Sequence, residues 1–240
     1  VLSSDIKSFI KIYPKQNTSQ KQEMYPLVDW DASGSGVILS NQIIATNYHV
    51  IKNAKKITIN ISAFDTLNID PSFLLNINAE IIKVDKENDI AILKVSDYDL
   101  LGKNPPLAYA NEVKYGMEVS SFGYPSVSLL GNNVKMNKGI VSALKDEKGS
   151  SSFFQTDLPV WYGNSGGPCF DMQGRLLGLV TRINFDRGQK LENVSYISKS
   201  SNIIKLLPSE ELESNVGKLE GDELDYDLLI PYTVFITVKY

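Results

Sequence analysis

Residues 163–168 have the sequence GNSGGP, and this stretch decides how the rest of the chain is interpreted. Glycine adopts backbone angles that other residues avoid, so glycines on both sides of Ser165 predict a tight turn around an accessible hydroxyl group. An ordinary glycine-rich turn between two strands is one interpretation. The other is a nucleophile turn, in which the N–H groups of Gly163 and Ser165 face the negative charge that develops on an attacked carbonyl.

Two motifs earlier in the chain favour the second interpretation. TNYHVI surrounds His49, and NDIAIL surrounds Asp89. Acyl transfer to water needs a hydroxyl nucleophile, a base that takes its proton near neutral pH, and a carboxylate that fixes the tautomer of the base. The motifs supply one residue of each kind. They are far apart in sequence, so they meet only where two folded halves face each other.

Each residue also has an ordinary structural interpretation. His49 fits a hydrogen-bonded, partly buried histidine, but it is the single histidine of the chain, so no other imidazole base is available. Asp89 fits a turn residue before a strand, and Asp85 and Glu87 are nearby competitors for the carboxylate role. Cys169, inside an expected strand, is interpreted as small core filler rather than a nucleophile.

Short apolar runs rich in Ile and Val predict an all-β fold. Clusters of Gly, Pro, Asn, Asp and Ser separate these runs, which is typical of a barrel or sandwich rather than of alternating βαβ units. The expected strands are residues 36–39, 43–46, 57–61, 81–84, 90–95, 119–122, 139–144 and 176–180.

The C-terminal part of the chain has a different character. Apolar residues at helical spacing predict a short helix over 200–207, which Pro208 ends. Residues 208–227 are strongly acidic and predict a solvated linker. Residues 228–240 end in an alternating strand pattern, because apolar and polar positions follow one another from Tyr232. This strand either docks on the preceding domain or opens a further domain.

Composition excludes several classes of protein. The formal net charge is −4, so nucleic acid is not an expected partner. With one cysteine and one histidine, neither a disulfide nor a structural zinc site is expected, and no cofactor is implied. No run reaches the length of a membrane span, and the first residues lack the apolar core of a signal peptide. A soluble protein is expected, either cytoplasmic or periplasmic or secreted after removal of a signal.

The motifs together resemble the protease domain of HtrA-type peptidases. The similarity rests on TNYHVI, NDIAILKV, GIVSAL, and QTD followed by GNSGGP, and it extends from about residue 33 to residue 204. It implies a serine endopeptidase with a chymotrypsin-like double six-stranded β-barrel, a short C-terminal helix and an extra C-terminal strand. The protease domain would cover residues 1–207, with the boundary between barrels near 105–115. The implied catalytic triad is His49, Asp89 and Ser165.

The resemblance also assigns residues around the nucleophile. The implied oxyanion hole is formed by Gly163, Asn164 and Ser165. Related zymogens carry an aspartate at the position of Asn164, which pairs with a newly cut N-terminus. An amide cannot make that ion pair, so activity is expected to be independent of N-terminal cleavage. The implied activation loop is 158–162, with 189–194 as its neighbour. Trp161 and Tyr162 in that loop are expected to cap the site, to dock a partner or to be buried under a loop.

A protein or peptide substrate would bind as an extended strand. The resemblance places this contact at Thr181, Arg182 and Ile183. The side-chain pocket would be lined by Pro159, Val160, Val194, Ser195 and Tyr196. The pocket position of Pro159 holds no acidic residue, so a small or medium aliphatic side chain is expected before the cleaved bond.

The chain departs from the family pattern in two places. No recognisable PDZ module follows the protease domain. The C-terminal tail from Ser209 onward is a candidate contact for a homo-oligomer or for a further domain. The sequence LENVSYISKS at 191–200 also differs from the usual Gly-aromatic-Ala-Ile-Pro. The alternative function is a catalytically silent peptide-binding or scaffold module. An esterase of the α/β-hydrolase type is disfavoured, because in that fold the serine precedes the histidine.

Overall fold

The computed structural model describes residues 30–40, 42–61, 75–96, 112–186, 189–207 and 226–240. The side chains of residues 75, 182–186, 189–191 and 228 lie outside this description. Residues 105–111 of the expected barrel boundary at 105–115, and most of the expected acidic linker, fall outside the described residues.

The first barrel is closed by the C-terminus of the chain. Its strands are β1 (Ala32–Ile38), β2 (Ile43–Thr46), β3 (Lys56–Ile61), β4 (Leu75–Asp85), β5 (Ile90–Val95) and β12 (Thr233–Lys239). Antiparallel pairing runs in the order β1-β12-β3-β4-β5-β2, and β2 returns to β1. A one-turn helix, α1 (Tyr48–Ile51), follows β2 and carries His49.

The second barrel comes from the middle of the chain. Its strands are β6 (Glu118–Gly123), β7 (Lys135–Ala143), β8 (Phe153–Thr156), β9 (Pro168–Asp171), β10 (Leu176–Asp186) and β11 (Gln189–Lys199). They close in the order β10-β11-β8-β7-β6-β9. Helix α2 (Val127–Leu130) lies between β6 and β7, and α3 (Ser200–Ile204) follows β11. Two 3-10 turns, Tyr226–Leu228 and Ile230–Tyr232, lead into β12. The predicted chymotrypsin-like double barrel is confirmed.

The C-terminal strand is one of the six strands of the first barrel. Strand β12 pairs with β1 on one side, where Phe235 lies opposite Ser35, and with β3 on the other, where Ile236 lies opposite Ile59. The alternating pattern predicted a half-buried strand, but Phe235 on the second face is also fully buried. The reason is that Tyr124 of the second barrel covers that face, with the two ring centroids 5.4 Å apart.

The helix and the linker end differently from the prediction. Helix α3 stops at Ile204, and the remaining residues to Leu207 form a turn. At the end of the expected linker, Tyr226 packs onto the second barrel, with its ring centroid 6.5 Å from that of Phe122. The Tyr226 hydroxyl also lies 3.3 Å from the sulfur of Met172.

Candidate active site

His49 and Asp89 form a hydrogen-bonded pair in the first barrel. The Asp89 carboxylate accepts the backbone N–H of His49 at 2.9 Å and lies 2.7 Å from His49 Nδ1. Asp89 has a positive φ of 55°, a conformation that aspartate tolerates better than most residues. The side chain of Asn47 donates to the Asp89 carbonyl at 2.9 Å, which helps to hold the turn.

The second barrel supplies a further partner for this carboxylate. The hydroxyl of Thr181, on β10, donates to Oδ2 of Asp89. With Nδ1 of His49 facing the same carboxylate oxygen, the ring proton belongs on Nδ1, and Nε2 is left as the basic nitrogen. The side chain of His49 is 47% exposed and that of Asp89 is 19% exposed, so the imidazole is accessible and the carboxylate is largely covered.

The turn around Ser165 is pressed against the first barrel. The Ser165 carbonyl accepts the N–H of Ser35 at 2.8 Å, and the Gly166 N–H donates to Val180 at 2.8 Å. Gly166 has a φ of 84°, and a Cβ atom there would collide with the carbonyl oxygen of Ser35. Only glycine therefore fits beside Ser165 at this contact.

Strand β1 brings the nucleophile turn and helix α1 to the same point. A Cβ atom on Gly34 would lie 2.7 Å from the Val50 side chain and 3.0 Å from the Ser165 carbonyl oxygen. Val50 directly follows His49. The structure thus brings the backbone at position 165 close to the helix that carries the candidate base, although the three motifs are distant in sequence.

The peptide groups before Ser165 are held in fixed orientations. The Tyr162 carbonyl accepts the N–H of Ser126 at 3.0 Å. In a planar trans peptide the N–H points away from the carbonyl, so the Gly163 N–H faces away from Ser126. Gly163 has a φ of 99°, and a Cβ atom there would collide with the Tyr124 carbonyl oxygen.

Two N–H groups in this turn are available to a ligand. Within the described residues, neither the Gly163 N–H nor the Ser165 N–H donates to a protein acceptor. The backbone N–H of Asn164 differs, because it donates to the Trp161 carbonyl at 3.0 Å. The inclusion of Asn164 among the oxyanion-hole residues is therefore corrected: its N–H is already engaged within the turn.

Asn164 is instead part of the buried support of the turn. It is 2% exposed, and its Nδ2 atom has no hydrogen-bond partner among the described residues. A Cβ atom on Gly123 would lie 2.7 Å from Asn164 Oδ1. The amide is thus packed closely against β6, in a position where a carboxylate would carry an uncompensated charge.

The residues predicted to line a substrate pocket lie in different environments. Val160 is 2% exposed and belongs to the apolar core of the second barrel, whereas Pro159 is exposed and Val194 is half-buried. Ser195 is fully buried, and its hydroxyl shares a 2.7 Å hydrogen bond with that of Thr156.

The predicted substrate strand has one open edge. Arg182 pairs with Tyr196, which is 2% exposed, and Ile183 pairs with Ser195. Strand β11 therefore occupies one edge of β10 at these residues. On the other side, pairing of β10 with β9 reaches only Leu179. Among the described strands, none pairs with the far edge of residues 181–183.

The predicted activation loop begins at a firm anchor and then reaches the surface. The Asp157 carboxylate accepts the N–H of Ile140 at 2.6 Å, which fixes the start of residues 158–162. Trp161 is 56% exposed and Tyr162 is 72% exposed, so burial of these aromatic rings is not observed.

Cys169 is completely buried, and burial raises the pKa of its thiol, as expected for a core residue.

Sequence reasoning missed two contributors to the site. Ser35 contacts both Ser165 and Gly163, and Thr181 binds Asp89 in addition to lying on the predicted substrate strand. The signal for Ser35 was the sequence Gly-Ser-Gly at 34–36, where small residues allow two backbones to approach closely.

Comparison with known proteins agrees with this geometry. The profile of the family described as "Trypsin-like peptidase domain" matches residues 34–179. A probable periplasmic serine endoprotease, DegP-like, from Pseudomonas savastanoi pv. phaseolicola is 36% identical over 158 residues, covering 62% of this chain and 29% of that protein. The uncharacterized protein y4bJ of Sinorhizobium fredii is 30% identical over 208 residues, covering 80% of this chain and 30% of that protein.

Solved structures show the same fold. The protease domain of MamO from Magnetospirillum magneticum superposes with a TM-score of 0.60 at 17% identity, covering 76% of this chain and 93% of that one. The chain belongs to the trypsin-like peptidase family, and it is similar in sequence to the DegP-like endoproteases of that family. It spans about a third or less of the length of the curated relatives named above.

Among the described residues, every helix is too short to be a candidate membrane span.

Proposed function

We propose that this chain is a serine endopeptidase domain that hydrolyses peptide bonds through an acyl-enzyme on Ser165. His49 Nε2 takes the hydroxyl proton as Ser165 attacks the carbonyl carbon, and it then returns the proton to the leaving amine. Water, activated by the same base, releases the acyl group. Asp89 holds the imidazole by its Nδ1–H and stabilises the imidazolium that forms.

The single observation that carries this proposal is that the turn before Ser165 holds two unpaired backbone N–H groups in fixed orientations. The N–H groups of Gly163 and Ser165 have no acceptor among the described residues, while the peptides around them are held by Ser126 and Trp161. Donors that are fixed before the reaction stabilise a developing oxyanion without reorganisation, and one such donor is worth about 2.7–4 kcal/mol. A purely structural turn has no need of unpaired donors beside a hydroxyl group.

Substrate binding is proposed along the open edge of β10. Residues 181–183 have β11 on one side and no described strand on the other, so an extended peptide can add there as a further strand. Backbone pairing gives affinity that depends little on sequence. Val160 and Pro159 near the turn carry no charge, which supports a preference for a small or medium aliphatic side chain before the cleaved bond.

Activity is proposed to be independent of N-terminal processing. Asn164 is buried and uncharged, so it cannot form an ion pair with an α-ammonium group. A form of the protein that carries an N-terminal extension should react at the same rate as the unextended chain. A large gain of activity when the extension is removed would contradict this part of the proposal.

Labelling with a fluorophosphonate probe tests the main proposal. The probe should attach covalently to Ser165, with the adduct located by mass spectrometry of the peptide that contains the turn. Ser165→Ala should remove the label, and Ser151→Ala, at an exposed serine in the turn before β8, should keep it. Folded protein that takes up no label would instead favour a silent peptide-binding module.

A further inference from the structure

Ser35, on strand β1, is hydrogen-bonded to the turn that carries Ser165, to the end of β6 and to strand β2, which leads to His49. Its N–H donates to the Ser165 carbonyl at 2.8 Å, and its hydroxyl donates to the Gly163 carbonyl at 2.7 Å. The same hydroxyl oxygen accepts the N–H of Tyr124 at 2.9 Å. Its carbonyl accepts the hydroxyl of Thr46 at 2.7 Å, and Thr46 lies three residues before His49.

These contacts cross the interface between the barrels. Ser35 and Thr46 belong to the first barrel, while Tyr124, Gly163 and Ser165 belong to the second. Ser35 is 0% exposed, so its hydroxyl is shielded from water and can bond only to its protein neighbours. The backbone of Ser35 thereby links the strand that leads to His49 with the turn that carries Ser165, and its hydroxyl ties Gly163 of the same turn to Tyr124.

We propose that Ser35 is a positioning residue, whose hydroxyl holds the Gly163 peptide in the orientation that leaves the Gly163 and Ser165 N–H groups open. This inference rests on the proposed peptidase function. It adds to that function a residue of the first barrel that acts on the oxyanion donors without touching substrate.

The physical reason lies in the backbone angles at Gly163. With a φ of 99° and no side chain, this residue has little intrinsic preference for the observed peptide orientation. The Ser35 hydroxyl fixes the Gly163 carbonyl, and the Ser126 N–H fixes the carbonyl before it. Loss of the hydroxyl frees one of these two anchors and leaves the Tyr124 N–H without its acceptor.

The test compares Ser35→Ala with a matched variant, Ser120→Ala. Ser120 is also a fully buried strand serine, but its hydroxyl has no partner among the described residues. The rate of fluorophosphonate labelling should fall about tenfold to a hundredfold in Ser35→Ala, less than the loss of a complete oxyanion donor. Ser120→Ala should label at the rate of the unmodified protein. Circular dichroism establishes that each variant is folded at the assay temperature.

A second measurement does not depend on activity. In ¹⁵N NMR spectra, Ser35→Ala should shift the Gly163 and Ser165 amide signals and accelerate exchange of the Tyr124 amide proton. If Ser35→Ala labels as fast as Ser120→Ala, or if the Gly163 and Ser165 signals stay in place, the positioning role is overturned. If the unmodified protein takes up no label, the peptidase proposal fails, and the NMR shifts alone decide the role of Ser35.

Discussion

The Thr181 hydroxyl donates to Oδ2 of Asp89, the same carboxylate oxygen that lies 2.7 Å from His49 Nδ1. Thr181 lies on β10 of the second barrel, and the other two residues belong to the first. The carboxylate is therefore held from both sides of the interface. The strand proposed to bind substrate is also a strand that orients the base.

Thr181→Val should reduce turnover while the protein stays folded. Valine has nearly the same shape but donates no hydrogen bond, and a hydrogen bond to a charged group contributes about 1.5–3 kcal/mol. We expect kcat/KM to fall by about tenfold to a hundredfold. Thr181→Ser, which keeps the hydroxyl, should retain most of the activity. Equal loss in the two variants would mean that packing of the methyl group, not the hydrogen bond, is what matters.

Asp89→Asn should leave the fold intact and slow acylation by about four orders of magnitude, because an amide at this position favours the wrong imidazole tautomer. The rate is measured by fluorophosphonate labelling, and the fold by circular dichroism. Glu87→Gln is the matched control, since Glu87 is exposed and lies in the same turn. An Asp89→Asn protein that labels as fast as Glu87→Gln would exclude the proposed role of Asp89.

Much of the second half of the fold was difficult to predict from the sequence. Strand β9 has only four residues and was expected only as a short piece around Cys169. Strand β11 contains few apolar side chains between Gln189 and Val194, so it produces no clear strand pattern. Both strands form because neighbouring strands provide their hydrogen-bond partners. Tertiary pairing of this kind overrides a weak local preference.

The site was predicted unevenly for a related reason. His49, Asp89 and Ser165 stand in motifs that specify chemistry, and the structure pairs the first two directly. Ser35 stands between two glycines, a pattern that is typical of a turn. Here it lies in strand β1, where Gly36 closely approaches the Ala45 carbonyl and the side chain of Ile236. Contacts between barrels leave no periodic trace in the sequence.

Asp31 should make stability depend on pH at the end of β12. Its carboxylate accepts the Tyr240 N–H at 2.8 Å, and this hydrogen bond, helped by Lys239, holds the Asp31 pKa below its ordinary value of 3.8. A lowered folded-state pKa contributes stability that is present above the ordinary pKa and is lost as pH falls through the folded value. In urea at pH 6, the free energy of unfolding of Asp31→Asn should therefore be lower than that of the unmodified protein. This difference should shrink as the pH falls into the acid range. A difference that grows in acid would contradict this sign.

Cys169 should react with thiol reagents only when the protein unfolds. Burial, with a further contribution from Asp171, raises the pKa of its thiol, so the reactive thiolate is scarce near neutral pH and the side chain is also inaccessible. Ellman's reagent at pH 8 should give almost no signal with folded protein and one thiol per chain in urea. Rapid reaction of folded protein would mean that the second barrel opens locally around β9.

Phe235→Ala should be among the most destabilising substitutions in the chain. The ring is fully buried and packs between Trp30 and Tyr124, at centroid distances of 5.6 and 5.4 Å. Removal of a buried phenylalanine ring costs about 3–5 kcal/mol, measured as the change in the free energy of unfolding in urea. Tyr240→Ala removes a side chain that is 49% exposed at the end of the same strand, and a change within about 0.5 kcal/mol is expected. Because β12 closes the first barrel, a Phe235→Ala protein as stable as Tyr240→Ala would mean that this strand is not seated in the barrel in solution.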